Sequence, residues 1–420
     1  VDTGHRVSVR RAAGLLGLGV LVAGAFFAGA TMDNWAGGKR VNSRETPPAR
    51  YDPSKGFPRP GSSCPPGPEW PEKAAAARQA VIRQAADAIQ AECRAAAGGD
   101  WERWERQTDP YRQALKPRAD SARTIPEVGD YPGYDVMEGR DGFPLFEVGA
   151  RTAVRPLVDP ASLNPLREGR AVVAADRWLR RRGIDLIFVP VPKMTEVYIE
   201  HFVDAPADGV VSPRIRRTLL EMLQAGVEVV DAFPRFRELR EPCPDYLYNT
   251  ADSHWAPRGM RVVAKEVADR IGRYAFGARA RYALPIVRSA PGPYNFLDVV
   301  GGLGYSLLTP QQRERAERVQ TTNQVEVCMP DGLPPPADSA SPVLLIGNSY
   351  VLQFREQLVK ELNLLVRSRW GLSQTTDAFA DFVREPRSLE HVRVLVWVTT
   401  TQHLASFKPL PPPVLEALAE

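Results

Sequence analysis

Two short segments hold residue types that do chemistry. The first runs Tyr248-Asn249-Thr250-Ala251-Asp252-Ser253-His254-Trp255-Ala256-Pro257. In an extended segment, residues two apart point to the same side, so Asp252 and His254 share a face. A carboxylate beside an imidazole fixes its tautomer and stabilises the imidazolium, which a general base requires. The plainer alternative is a helix-capping Asp or Ser beside a surface histidine. The second segment is Gly347-Asn348-Ser349-Tyr350, directly after the apolar run Val343-Leu344-Leu345-Ile346. A serine on a tight strand-to-helix turn presents its hydroxyl above the sheet edge. Backbone N–H groups at the start of the next helix can receive an oxyanion there. Alternatively, Ser349 only caps the helix. Gly347 permits the close turn, but no second glycine follows, so the G-x-S-x-G elbow is not matched. Taken together, a serine activated by a histidine that an aspartate holds is an arrangement for acyl transfer through an acyl-enzyme.

Four neighbours are candidates for oxyanion or substrate contact. Asn348 and Tyr350 flank the serine. Trp255 either stacks on a sugar ring or packs the turn that bears His254. Lys193 either binds substrate and tunes the site or is a solvated surface lysine. His201, His391 and His403 are set aside, with some reserve for His403 because it follows the end of a strand.

These residues need elements to position them. Ile184–Val189, Val227–Val230, Val343–Ile346, Asn363–Val366 and Val392–Val398 read as strands. Helices are expected at Glu72–Ala97, Ala171–Arg182, Pro213–Ala225, Pro257–Tyr274 and Tyr350–Leu362, with proline well placed at the first turn of two of them. Strands alternating with helices predict an α/β fold with a doubly wound, mostly parallel sheet. Asp252, His254 and Ser349 then all fall at the C-terminal ends of strands, where such sheets place their ligands. Trp101 and Trp104 read as packing a small helical unit onto this domain. Residues 107–135 read as loop. Residues 278–340, with Gly301-Gly302 and Pro334-Pro335-Pro336, read as a loop-rich insertion.

The N-terminus bears on location. Arg6, Arg10 and Arg11 precede an uncharged stretch from Ala12 to Met32, a length near that needed to span a bilayer. The basic flank puts the remainder outside the cytoplasm. Both an uncleaved anchor and a signal peptide with an Ala28-Gly29-Ala30 cleavage site fit. The expected organisation is thus 1–32 anchor or signal, 33–130 Pro-rich linker and helical extension, 131–408 catalytic domain, and 409–420 tail. The 39 prolines among 420 residues concentrate in the linker, the insertion and the Pro411-Pro412-Pro413 tail. An oxidising compartment would allow the four cysteines to pair, with Cys64–Cys93 and Cys243–Cys328 favoured because each pair shares a region. Their spacing fits no zinc site, and neither a metal nor a cofactor is expected. Net charge is +4, half of it from the first thirty residues, so neither nucleic acid nor an anionic polymer is recognised by overall charge.

Asp252-Ser253-His254-Trp255 with Gly347-Asn348-Ser349-Tyr350 resembles the paired motifs of the alginate O-acetyltransferase family (AlgX/AlgJ-like), a permuted relative of the SGNH hydrolases with a flavodoxin-like sheet. Three segments agree: Gly139-Arg140-Asp141-Gly142-Phe143-Pro144-Leu145-Phe146, Val189-Pro190-Val191-Pro192-Lys193 followed by Tyr198, and Val394-Leu395-Val396-Trp397. The resemblance spans roughly residues 130–405. It implies Ser349 as nucleophile, His254 as general base and acid, and Asp252 as its orienter. It also implies an exopolysaccharide as acceptor in a synthesis or secretion complex, with acetyl supplied by a membrane-bound acyltransferase of the MBOAT type. The family's acidic–arginine ending after the last strand is here Thr399-Thr400-Thr401-Gln402-His403. The expected organisation leaves no room for the carbohydrate-binding β domain that some members carry. An acetylesterase with the same triad is the alternative enzyme, and a non-catalytic glycan-binding or scaffold subunit is the alternative outside catalysis.

Overall fold

The computed structural model describes residues 70–125, 134–140, 144–147, 155, 157, 165–240, 247–248, 254–274, 276, 286–290, 310, 324–328, 341–362, 364–370, 376–407 and 409–418. The anchor or signal segment, the Pro-rich linker as far as residue 69, Asp252 and the cysteines Cys64 and Cys243 lie outside these residues.

The N-terminal helices are α1 (Trp70–Ala97) and α2 (Trp101–Asp120). Strands β1 (Arg123–Ile125), β2 (Tyr134–Glu138) and β3 (Pro144–Glu147) form a small antiparallel sheet. Then follow α3 (Pro165–Arg180), β4 (Asp185–Val191), the short α4 (Met194–Val197), α5 (Pro213–Gln224), β5 (Glu228–Val229), α6 (Phe233–Leu239) and α7 (Pro257–Ile271). Strands β6 (Ile286–Ala290) and β7 (Gln324–Cys328) pair antiparallel within the stretch expected to be loop-rich. The chain closes with β8 (Val343–Gly347), α8 (Val351–Leu362), β9 (Arg367–Trp370), α9 (Asp377–Arg384), β10 (Val394–Thr400) and the single-turn α10 (Pro412–Leu415).

The main sheet has strand order β5-β4-β10-β8-β9, with every pair parallel. The doubly wound fold expected from the sequence is the one found. β4, β8 and β10 are buried nearly throughout, which is why they read as unbroken apolar runs rather than as alternating ones. Helices α3 and α5 pack together, and α9 joins them through Phe379 against Trp178 and Trp397. α7 packs against α8. β5 and β9 lie at opposite edges, and β10 returns to the centre, so the C-terminal ends of β4, β10 and β8 lie side by side. Thr400 pairs with Val191, and Val398 with Gly347.

Two sequence expectations need correction. Residues 107–135 are not one long loop, because α2 runs through Pro110 and Pro117. Proline removes a backbone donor, which is why the sequence suggested a break. Asp100 caps the helix by accepting from the Arg103 N–H at 2.9 Å, and buried Arg112 ties Glu105, Thr108 and Asp109 together within it. Trp104 and Leu115 are buried along the same helix. β9 begins after the apolar stretch 364–366 rather than within it. Leu364, Leu365 and Val366 are buried ahead of the strand, while the strand itself carries two arginines, as edge strands often do. Cys93 is a free thiol in the structure, and its expected partner Cys64 lies outside the described residues. The Cys93 side chain is buried with Ala97, Trp104 and Val210. The Cys243–Cys328 pairing involves a residue outside the described set.

Candidate active site

Ser349 stands two residues beyond the last residue of β8. Its position depends on Gly347. A Cβ there would lie 2.2 Å from the Val398 carbonyl oxygen and 2.5 Å from Val351 Cγ1, so only glycine lets the end of β8 pass beside β10. The turn is closed by Asn348, whose Oδ1 accepts the Tyr350 backbone N–H at 3.2 Å. Short polar side chains make such local turns because they reach a backbone donor two residues on. Ser349 is half-buried, while Asn348 and Tyr350 are buried.

His254 arrives from a different part of the chain. Tyr248 and Trp255 form an isolated antiparallel bridge, and Ala256 N–H donates to the Leu247 carbonyl at 2.8 Å. The Tyr248 hydroxyl donates to the carbonyl of Pro192, at the end of β4. Trp255 donates through Nε1 to the Tyr350 carbonyl at 3.1 Å and stacks on Phe354 with ring centroids 4.9 Å apart. α7 can approach this strap because Gly259 leaves room: a Cβ there would meet the Leu247 carbonyl oxygen at 2.4 Å.

These constraints bring His254 Nε2 to 2.7 Å from Ser349 Oγ. That lies within the range over which a base and a nucleophile share a proton. The imidazole also faces the Tyr350 ring, with centroids 4.9 Å apart. Asp252 lies outside the described residues, so the partner of the other ring nitrogen is left to the sequence reading.

Lys193 and the loop after β10 complete the sheet edge. Lys193 is 3% exposed, so it is not the solvated lysine weighed from sequence. Its Nζ lies 6.0 Å from the centre of the Tyr350 ring. Its backbone N–H donates to Glu196 Oε2 at 2.6 Å, and the Thr401 hydroxyl donates to the same oxygen. Trp255 is 1% exposed and holds the turn, so it presents no ring for a sugar. His403, set aside in sequence, sits next to Asn348, with Nδ1 at 2.9 Å from Asn348 Nδ2. Burial, and then the Lys193 cation, push its pKa down to about 4. The signal that could have found it was its place just beyond the strongest strand in the chain.

A family model described as an SGNH hydrolase-like domain, acetyltransferase AlgX, matches residues 152–400. The chain belongs to this family. Two solved structures are similar at low identity. The O-acetyltransferase domain of Pseudomonas putida AlgJ is 17% identical over 68% of this chain and 100% of that one, with a TM-score of 0.47. Pseudomonas aeruginosa AlgX is 19% identical over 65% of this chain and 67% of that one, with a TM-score of 0.43. No curated protein sequence matches the chain. The AlgX-type domain contains both the serine turn and the histidine strap. Among the described residues, no cluster of acidic, cysteine and histidine side chains could hold a metal ion, and no helix is long and apolar enough to cross a membrane.

Proposed function

We propose that this AlgX-type domain is an exported, serine-dependent O-acetyltransferase acting on hydroxyls of an exopolysaccharide, alginate-like or another cell-surface glycan. The observation that carries the reading is the 2.7 Å contact between Ser349 Oγ and His254 Nε2 at the sheet edge. Ser349 attacks the acetyl carbonyl of the donor, and His254 takes the hydroxyl proton. The proton then passes to the leaving group as the tetrahedral adduct collapses to acetyl-Ser349. In the second half, His254 removes the proton of a sugar hydroxyl, which attacks the acetyl-serine. The ester bond to Ser349 breaks, and the proton returns to Oγ. Asp252 orients His254 in this account. The donor is fed by a membrane-bound MBOAT-type acyltransferase, and residues 1–32 place the domain on the extracytoplasmic side, anchored or released. Neither half-reaction calls for a cofactor.

Purified protein is expected to release p-nitrophenol from p-nitrophenyl acetate, and Ser349→Ala to fall to the uncatalysed rate. Full activity in Ser349→Ala would overturn the assignment. Acetylesterase activity is the second reading, because Ser349 and His254 are both half-buried and so within reach of water. A scaffold would have no need of a serine hydroxyl within hydrogen-bond reach of an imidazole.

A further inference from the structure

The loop after β10 departs from the family's acidic–arginine ending, and its histidine touches the nucleophile turn. We propose that His403 is a positioning residue: as a neutral imidazole, it holds the Asn348 amide and thereby fixes the turn that aims Ser349 at His254. The inference deepens the proposed function and rests on it.

The hydrogen bonds determine the tautomer. Asn348 Oδ1 is committed to the Tyr350 N–H at 3.2 Å, so the Asn348 amide nitrogen must face His403 Nδ1, 2.9 Å away. An amide nitrogen only donates, so Nδ1 offers its lone pair and the ring proton sits on Nε2. The Thr400 hydroxyl, 3.0 Å from Nδ1, can rotate its hydrogen toward the same lone pair. On the other side, Gln402 Nε2 lies 3.3 Å from His403 Nε2, an arrangement of two donors. Gln402 Oε1, meanwhile, is buried without a hydrogen-bond partner. Turning the Gln402 amide about its last bond removes that clash, because Oε1 then accepts from the imidazole Nε2–H.

The neutral state is built in. His403 is enclosed at the sheet edge, and the Lys193 cation disfavours a second proton. A protonated Nδ1 would point a hydrogen at the Asn348 amide and release it. The network therefore joins the ends of two neighbouring strands, β10 through Thr400 and His403, and β8 through Asn348. Asn348 is gripped at both ends of its amide, and Ser349 lies between the two residues so tied.

The test compares p-nitrophenyl acetate turnover in the full chain and its variants. His403→Leu removes the acceptor at similar bulk and is expected to lower kcat roughly 10- to 100-fold, the effect of one buried hydrogen bond, with KM within about twofold. His403→Asn places Oδ1 where Nδ1 was and should recover most of the rate. His403→Gln carries its oxygen one bond too far and should stay slow. Asn348→Ala combined with His403→Leu should be no slower than Asn348→Ala alone, because both act through one contact. An unchanged kcat in His403→Leu, equal rates for His403→Asn and His403→Gln, or losses that multiply in the double variant would overturn the inference. If His403→Leu fails to fold, the Asn–Gln comparison decides. Ser349→Ala is measured alongside. A dead Ser349→Ala with an unslowed His403→Leu overturns this inference alone, whereas a live Ser349→Ala overturns the proposed function and this inference with it.

Discussion

His403 is half-buried beside a cation, and that has a signature in stability. Its pKa in the fold is about 4, against 6.5 for an unperturbed histidine. Between those values the unfolded chain takes up a proton that the fold refuses. The contribution to stability is therefore complete above pH 6.5 and is lost as pH falls from 6.5 toward 4, by at most about 3 kcal/mol. Urea midpoints at pH 7.5 and 4.5 should fall further apart in the natural chain than in His403→Asn. Equal differences would show that the histidine does not stay neutral. At the proposed catalytic pair, His254→Ala should cost roughly 10²- to 10⁴-fold in ester turnover, read as kcat/KM. Ser349 was legible in sequence because it follows an apolar strand and precedes a helix, and His254 because it stands two residues after an aspartate and just before a helix. His403 was not, because its partners Asn348 and Thr400 come from the ends of two different strands. No local pattern signals a neighbour 55 residues away.

At the scale of elements, the site depends on how closely the ends of β8 and β10 approach. Gly347→Ala would push a methyl group into the Val398 carbonyl and Val351, and neither can move without disturbing the central sheet. The expected cost is about 1–3 kcal/mol in thermal or urea unfolding, with loss of ester turnover in whatever remains folded. An unperturbed melting curve would mean that the strands are not so tightly apposed. The central strands could be read from sequence because burial on both faces demands continuous apolar runs. α2 could not, because its two prolines satisfy every local rule for a break, and only long-range burial of Trp104 and Leu115 outweighs them. β9 was displaced for the same kind of reason. Its arginines mark it as an edge strand, while the apolar residues before it fill the core.

At the scale of the whole molecule, α1 is fastened to the base of the sheet by buried charge. Arg78 lies 3.0 Å from Asp176 on α3, 3.6 Å from Glu228 at the start of β5 and 3.9 Å from Asp185 at the start of β4. Removing one member of such a group leaves others uncompensated, so Arg78→Ala should cost roughly 3–5 kcal/mol in urea unfolding. A loss near zero would mean that α1 is held by its apolar face alone. The sequence indicated a helical unit docked on an α/β domain, but the residues that dock it are separated by up to 150 positions. The segment after residue 409 also packs onto the body, with Leu410, Val414 and Ala417 buried and the Leu418 carbonyl accepting from Arg177 at 3.1 Å. The most direct measurement of acetyl transfer is the mass spectrum of an alginate oligosaccharide incubated with p-nitrophenyl acetate and the full chain. Acetylated oligosaccharide is expected with the natural chain and none with Ser349→Ala. Free acetate with no acetylated oligosaccharide, or equal acetylation by Ser349→Ala, would contradict it.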